Sequence, residues 1–131
     1  MTTAIICTAI LSAMVFVLGF NVSRLRGATA KAGGSQQPRD PSDPLFIAVR
    51  SHGNQTEYVP TLIVLFLLVG ARGSAAVAVP LIIGATAVRV LHAYNMLTSK
   101  GIGHMTPLRL VSAIGTYVFG VALAVAVLCT L

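Results

Sequence analysis

The sequence predicts an all-α protein, an integral membrane four-helix bundle, and three observations support that prediction. Hydrophobic residues make up 56% of the 131-residue chain, whereas charged residues make up only 9%, far below the roughly 25% of an average soluble domain. Four apolar runs of about 20 residues, the length that a spanning helix needs, alternate with segments rich in Gly, Pro and basic residues. This composition excludes an ordinary soluble globule and an intrinsically disordered chain.

The first two predicted helices differ in polarity. The first covers residues 3–22 and carries no charge, and the stretch from Ser23 to Asp43, with its prolines and paired glycines, is predicted to be a loop. The second covers residues 45–70. Only Tyr58 to Gly70 is uninterrupted apolar sequence, which is too short to span a bilayer, so the helix must include the mixed segment before it. Its first half is therefore polar on one side.

The last two predicted helices cover residues 74–97 and 108–131. Arg89 and His92 are the only strongly polar interruptions of the third helix, and Arg109 stands at the start of the fourth. A polar loop from Thr98 to Pro107 joins them. We treat residues 1–131 as a single transmembrane domain.

The basic residues predict an orientation in the membrane. Nine Lys and Arg against three Asp and Glu give a net charge of +6, and most of these basic groups lie in or beside the first and third loops. The positive-inside rule then places those loops in the cytoplasm and both termini outside it. Because the basic groups separate apolar runs, we expect no nucleic-acid partner.

Three polar residues of the second helix fall on one stripe. Arg50, Asn54 and Glu57 are spaced i, i+4, i+7, which is one side of an α-helix. A charge near the bilayer centre costs at least ~2.5 kcal/mol, so their presence needs an explanation. One interpretation is an ion pair and an amide that pack helices together. The other is a pocket wall, in which Arg takes a carboxylate and Glu takes an ammonium group.

The third and fourth helices carry similar stripes. Arg89 and His92 share a face, although Arg89 could instead extend toward the membrane interface. Arg109, Ser112 and Thr116 form one side of the fourth helix. No second His or Cys stands at metal-ligand spacing, so we predict no metal site. The polar stripes gather at the predicted cytoplasmic ends, where several cations and one acid suit an anionic ligand with one ammonium group.

The segment Arg50-Ser-His52-Gly-Asn54-Gln-Thr-Glu57-Tyr58-Val-Pro60 resembles the second-helix signature of the MAPEG family, membrane-associated proteins in eicosanoid and glutathione metabolism. That signature is Arg-x-His-x-Asn-x-x-Glu followed by Pro. Two further segments resemble the family's first-helix end and third-helix motif, namely Asn21-Val-Ser-Arg24-Leu-Arg26 and Arg89-Val-Leu-His92-Ala-Tyr94. The short chain is most similar to the bacterial branch.

The resemblance implies a homotrimer in a bacterial inner membrane, with glutathione bound as co-substrate between subunits near the cytoplasmic face. It also implies a transferase or peroxidase that acts on lipophilic small molecules arriving from membrane lipid. Carried over by position, the residues that would bind glutathione are Arg24, Arg50, Asn54, Glu57, His92 and Arg109, and we add Tyr94 of the third-helix motif to this set. We assign the catalytic role, stabilisation of the thiolate, to Arg109 or Arg89, because a cation beside the sulfur lowers the pKa of the thiol. The competing hypothesis is a non-catalytic membrane protein whose polar cluster packs the trimer, or one that binds a different thiol.

Overall fold

The structure is a computed structural model that describes residues 1–131 as four α-helices joined by three loops. The helices are α1 (Thr2–Lys31), α2 (Pro44–Arg72), α3 (Ala75–Thr98) and α4 (Pro107–Leu128). All four are long and apolar enough to cross a membrane. The prediction of an all-helical chain with four membrane helices is confirmed.

The helices form an open arrangement in which α2 and α3 lie between α1 and α4. Both outer helices pack on α2 and α3, but α1 and α4 do not touch each other. Gly70 near the end of α2 lies against Ala4 near the start of α1, so these two helices run antiparallel. Both termini consequently lie at one end. The opposite end, here called the loop end, carries residues 32–43 and 99–106, and there the Ile102 N–H donates to the Pro41 carbonyl at 3.0 Å.

The structure corrects two predicted helix ends. The first helix continues nine residues beyond position 22, to Lys31, and the last stops at Leu128 rather than at 131. Residues 23–31 contain one glycine and no proline, so charge alone does not end the helix; the chain turns at Gly33, whose φ is +71°. Thirty residues of helix are about 45 Å long, which exceeds a hydrocarbon core of about 30 Å. The end of α1 therefore projects beyond the membrane core.

A short turn fixes where α2 begins. The Asp43 carboxylate accepts a hydrogen bond from the Leu45 N–H at 2.7 Å, and Pro44 occupies the first helical position, both favourable at a helix start. Just before it, the backbone N–H and the hydroxyl of Ser42 donate to Asp40. These hydrogen bonds lower the pKa of the Asp40 carboxyl below its usual value. The polar half of α2 is thus held at the loop end.

The interior changes character along the bundle. Toward the termini it is an apolar core built from all four helices, which includes Leu11, Phe66, Ile82 and Leu123. Toward the loop end, buried polar side chains replace it. They come from α2, α3 and α4 and are Ser51, Gln55, Thr86, Arg89, His92, Ser112 and Thr116.

Candidate functional site

Arg89 is at the centre of the buried polar region. Its side chain is only 1% exposed, and it reaches from α3 to both α2 and α4. Nε donates to Gln55 Oε1 at 3.1 Å, and Nη1 donates to Thr116 Oγ1 at 3.3 Å. Nη2 donates to the carbonyl and to Oδ1 of Asn54, at 3.1 and 2.7 Å. The alternative in which Arg89 extends toward the membrane interface is therefore wrong.

The hydrogen-bond partners of the Arg89 guanidinium are all uncharged. Gln55 and Asn54 offer amide or carbonyl oxygens, and Thr116 offers a hydroxyl. The guanidinium carbon also lies 5.0 Å from the ring centroid of Tyr58, within the range of a cation–π interaction. These hydrogen bonds and the Tyr58 ring stabilise the cation without neutralising it. The positive charge of Arg89 is therefore buried within α3, a helix able to span the membrane.

A second hydrogen-bonded chain joins α3 to α4. His92 Nδ1 lies 3.1 Å from the hydroxyl of Ser112, which donates to the Arg109 carbonyl at 3.0 Å. One turn later Thr116 donates to the Ser112 carbonyl at 2.9 Å and accepts from Arg89. His92 and Arg89 are therefore both positioned by polar side chains of α4.

Two neighbouring spaces adjoin these residues. A cavity of about 20 Å³ touches both Arg89 and His92, and a groove of about 210 Å³ between α2 and α4 shares its Tyr58 and Thr116. The Tyr58 and Tyr117 hydroxyls lie 3.2 Å apart at the rim of the cavity. The groove extends toward the apolar part of α4 and is lined by Tyr58, Thr61, Leu62, Leu65, Thr116, Gly120, Val121 and Ala124. A small polar cavity and an apolar groove therefore lie side by side and share Tyr58 and Thr116 as lining residues.

The predicted stripe on α2 faces away from the core. Arg50 and Glu57 are exposed, and Asn54 is half-buried. The side-chain hydrogen bonds of this part of α2 are made by Asn54, Gln55 and Thr56. The packing interpretation thus holds for the amide of Asn54, which bonds Arg89, whereas Arg50 and Glu57 stand free on the surface of one subunit.

The side chains of the remaining predicted residues make their hydrogen bonds outside the Arg89 cluster or are exposed, although the Arg109 carbonyl accepts from Ser112. Arg24 is exposed on α1 and donates to Asn21 Oδ1 at 2.9 Å. Arg109 Nη1 donates to the Ile102 carbonyl at 2.7 Å, which ties the start of α4 to the loop before it. Tyr94 is 62% exposed, on the outer side of α3. One subunit therefore brings together the side chains of Asn54, Arg89 and His92. The side chains of Arg24 and Tyr94 lie elsewhere, and the Arg109 guanidinium bonds the loop before α4.

Gln55 is one of the site residues that the sequence analysis missed, together with Tyr58 and Tyr117. It is fully buried and bonds Arg89 through its side-chain oxygen, and its amide nitrogen lies 3.4 Å from the Arg89 carbonyl. The sequence does contain a pattern that indicates its burial. On the inward side of α2, Ser51, Gln55, Val59 and Leu62 follow one another every three or four residues. No group of three or more His, Cys, Asp or Glu is placed to hold a metal ion.

Comparison with known proteins identifies the family. The model of the MAPEG family matches residues 4–129, which is nearly the whole chain and includes most of every helix. No curated protein and no solved structure matches the chain. The match covers the α2 stripe and the Arg89 cluster together, and the chain belongs to the MAPEG family.

Proposed function

We propose that this protein is a glutathione-dependent transferase or peroxidase acting on lipophilic electrophiles at the membrane. In this proposal the chain forms a homotrimer, and glutathione binds between subunits near the cytoplasmic face. Membership of the MAPEG family is consistent with glutathione-related transferase or peroxidase roles. The observation that carries the proposal is the buried Arg89 cation, whose hydrogen-bond partners are all neutral.

A buried cation with no carboxylate among its hydrogen-bond partners favours an anionic ligand. Burying an unpaired charge is costly, and an anion placed beside Arg89 would lower that cost. The hydrogen bonds to Gln55, Thr116 and Asn54 engage Nε, Nη1 and Nη2, but Nη1 carries two N–H groups and bonds only Thr116. One donor thus remains for a ligand. A thiolate or carboxylate of glutathione supplies the missing negative charge.

The exposed α2 stripe supports binding between subunits. Arg50 and Glu57 are exposed on a helix long and apolar enough to span the membrane, where charged groups are costly toward lipid. A neighbouring subunit would cover them. The Arg50 guanidinium would bind a carboxylate of glutathione through two parallel hydrogen bonds, and the Glu57 carboxylate would bind its ammonium group. The two charges of the stripe therefore match two oppositely charged groups of glutathione.

The chemistry requires a thiolate and an electrophile in one place. The thiolate is the nucleophile, and a nearby cation promotes its formation. Arg89 or Arg109 would stabilise the sulfur. The apolar groove beside Tyr58 and Thr116 offers a lipid-soluble electrophile a path to it.

The test measures conjugation of glutathione to a lipophilic aryl halide, and reduction of a lipid hydroperoxide, by protein purified in detergent. We expect turnover with glutathione and little with cysteine, which lacks one carboxylate. Arg89→Gln should reduce turnover at least about 100-fold, whereas Arg39→Gln, in the exposed first loop, should leave it unchanged. Absence of turnover with both substrates would overturn the enzymatic proposal.

A second candidate function is a non-catalytic membrane protein. The observation in its favour is that the Arg89 network already joins α2, α3 and α4 inside one subunit, as a packing device would. It predicts that Arg89→Gln prevents assembly and that the wild type neither binds nor consumes glutathione.

A further inference from the structure

The contacts of Ser112 bear on which ring nitrogen of His92 carries the proton. A hydroxyl has one hydrogen to donate, and the Ser112 hydroxyl, which is fully buried, gives it to the Arg109 carbonyl at 3.0 Å. The same oxygen lies 3.1 Å from His92 Nδ1, so toward His92 it acts as an acceptor. We therefore assign the hydrogen to Nδ1, which leaves the lone pair of the neutral ring on Nε2.

Nε2 of His92 is open. It takes part in none of the side-chain hydrogen bonds of His92, which join Nδ1 alone to Ser112. Nε2 is also not enclosed by protein atoms. The enclosed polar side-chain atoms that lack a partner are the hydroxyl oxygens of Thr8 and Ser51. The His92 ring lines the cavity of about 20 Å³ that Arg89 also lines. That volume holds about one water molecule, or one atom of similar size such as sulfur.

The cavity thus combines a cation with a base. Arg89 contributes a fixed positive charge and one N–H without a partner, and His92 contributes a lone pair held in place by Ser112. Other charged or titratable groups near His92 are Arg109 and Tyr117 on α4 and Tyr58 on α2. No carboxylate lines the cavity, so His92 is its only group suited to accept a proton near neutral pH.

We infer that His92 is the proton acceptor that converts the bound thiol into a thiolate. The S–H bond breaks and its proton passes to Nε2, which leaves the sulfur negative beside the Arg89 guanidinium. The sulfur electron pair then forms a bond to the electrophilic carbon, and the electrons of the bond that breaks move to the leaving atom. When that atom is an epoxide oxygen, the alkoxide takes the proton back from Nε2. This inference rests on the proposed glutathione-dependent activity.

The test follows thiolate formation directly, by its ultraviolet absorbance after rapid mixing of glutathione with the assembled protein. His92→Asn keeps an amide at the level of Nδ1, which can still donate to Ser112, and removes the basic nitrogen. At saturating glutathione, we expect thiolate formation by this variant to slow at least about 100-fold, the usual contribution of a general base. Ser112→Ala should slow it about tenfold, because the ring loses its fixed tautomer.

The outcomes separate this inference from the function on which it rests. Wild-type protein that binds glutathione, together with a His92→Asn variant that forms thiolate at the wild-type rate, overturns the role of His92 alone. Wild-type protein that binds no glutathione overturns the proposed function and this inference with it. Should His92→Asn fail to assemble, His92→Gln and Ser112→Ala carry the same test, and unchanged rates in both count against the inference.

Discussion

Arg89 of α3 donates twice to Asn54 of α2, to its carbonyl at 3.1 Å and to its side-chain Oδ1 at 2.7 Å. The α2 stripe and the α3 motif, 35 residues apart in sequence, therefore meet in one contact. Asn54 belongs at once to the exposed stripe with Arg50 and Glu57 and to the buried cluster. It connects the surface on which a neighbouring subunit would pack with the interior cation.

Arg89→Lys should destabilise the folded protein. Lysine keeps the charge but replaces the planar fork with a single ammonium, so it cannot satisfy Gln55, Asn54 and Thr116 together. Each hydrogen bond to a charged group contributes about 1.5–3 kcal/mol, and we expect the free energy of unfolding in mixed micelles to fall by about 2 kcal/mol. Arg39→Lys in the first loop is the matched control. Equal stability of both variants would show that the network contributes nothing to the fold.

Gly84→Ala should weaken the packing of α3 on α4. A Cβ at Gly84 would overlap ring atoms of Phe119, whereas a Cβ at Gly27 of α1 would meet nothing within 4 Å. Overpacking typically costs about 1–3 kcal/mol, and alanine in an open helix position gains up to about 1 kcal/mol. Unfolding followed by circular dichroism should therefore move the two variants in opposite directions. A Gly84→Ala protein as stable as Gly27→Ala would contradict this packing.

The orientation of the bundle is tested by cysteine labelling in intact cells, after Cys7 and Cys129 have been replaced. Ser35→Cys reports on the first loop and Ser74→Cys on the second. Ser74 is preferable to Gly73 as the labelling position, because a Cβ added at Gly73 would lie 2.7 Å from the Val69 carbonyl oxygen. We expect an impermeant maleimide to label position 74 from outside and position 35 only after permeabilisation. External labelling of position 35 would show that the bundle has the opposite orientation in the membrane.

We expect the chain to assemble as a trimer in which a neighbouring subunit covers the exposed α2 stripe. In one subunit α1 and α4 do not touch, and Arg50 and Glu57 are uncovered. A detergent-corrected mass from light scattering should correspond to three copies of the 13.6 kDa chain. A stable monomer that still binds glutathione would refute the placement of the ligand between subunits.

The sequence predicts the helices well because apolar runs and Gly- or Pro-rich loops alternate clearly. It predicts the interior less well. The end of α1 was misplaced because charges end a membrane span without ending a helix, as Arg24 and Arg26 show. The sequence does not single out Gln55, because the regular polar spacing on α2 is that of Arg50, Asn54 and Glu57, whereas the buried face lies on another side of the helix. Whether a side chain reaches inward or outward, as for Arg89, depends on partners from other helices that no local pattern contains.

The most direct measurement is a calorimetric titration of the assembled wild-type protein with glutathione, alongside Glu57→Gln and Arg50→Lys. We predict saturable binding by the wild type. Glu57→Gln should weaken it at least tenfold, about 1.4 kcal/mol, because the ammonium group loses its only acidic partner. Arg50→Lys should also weaken it, since a point charge replaces the bidentate fork. Arg39→Lys should bind as the wild type does, and size exclusion should show all four proteins equally assembled. Wild-type protein that binds no glutathione, or two stripe variants that bind it as tightly as the wild type, would contradict the proposed site.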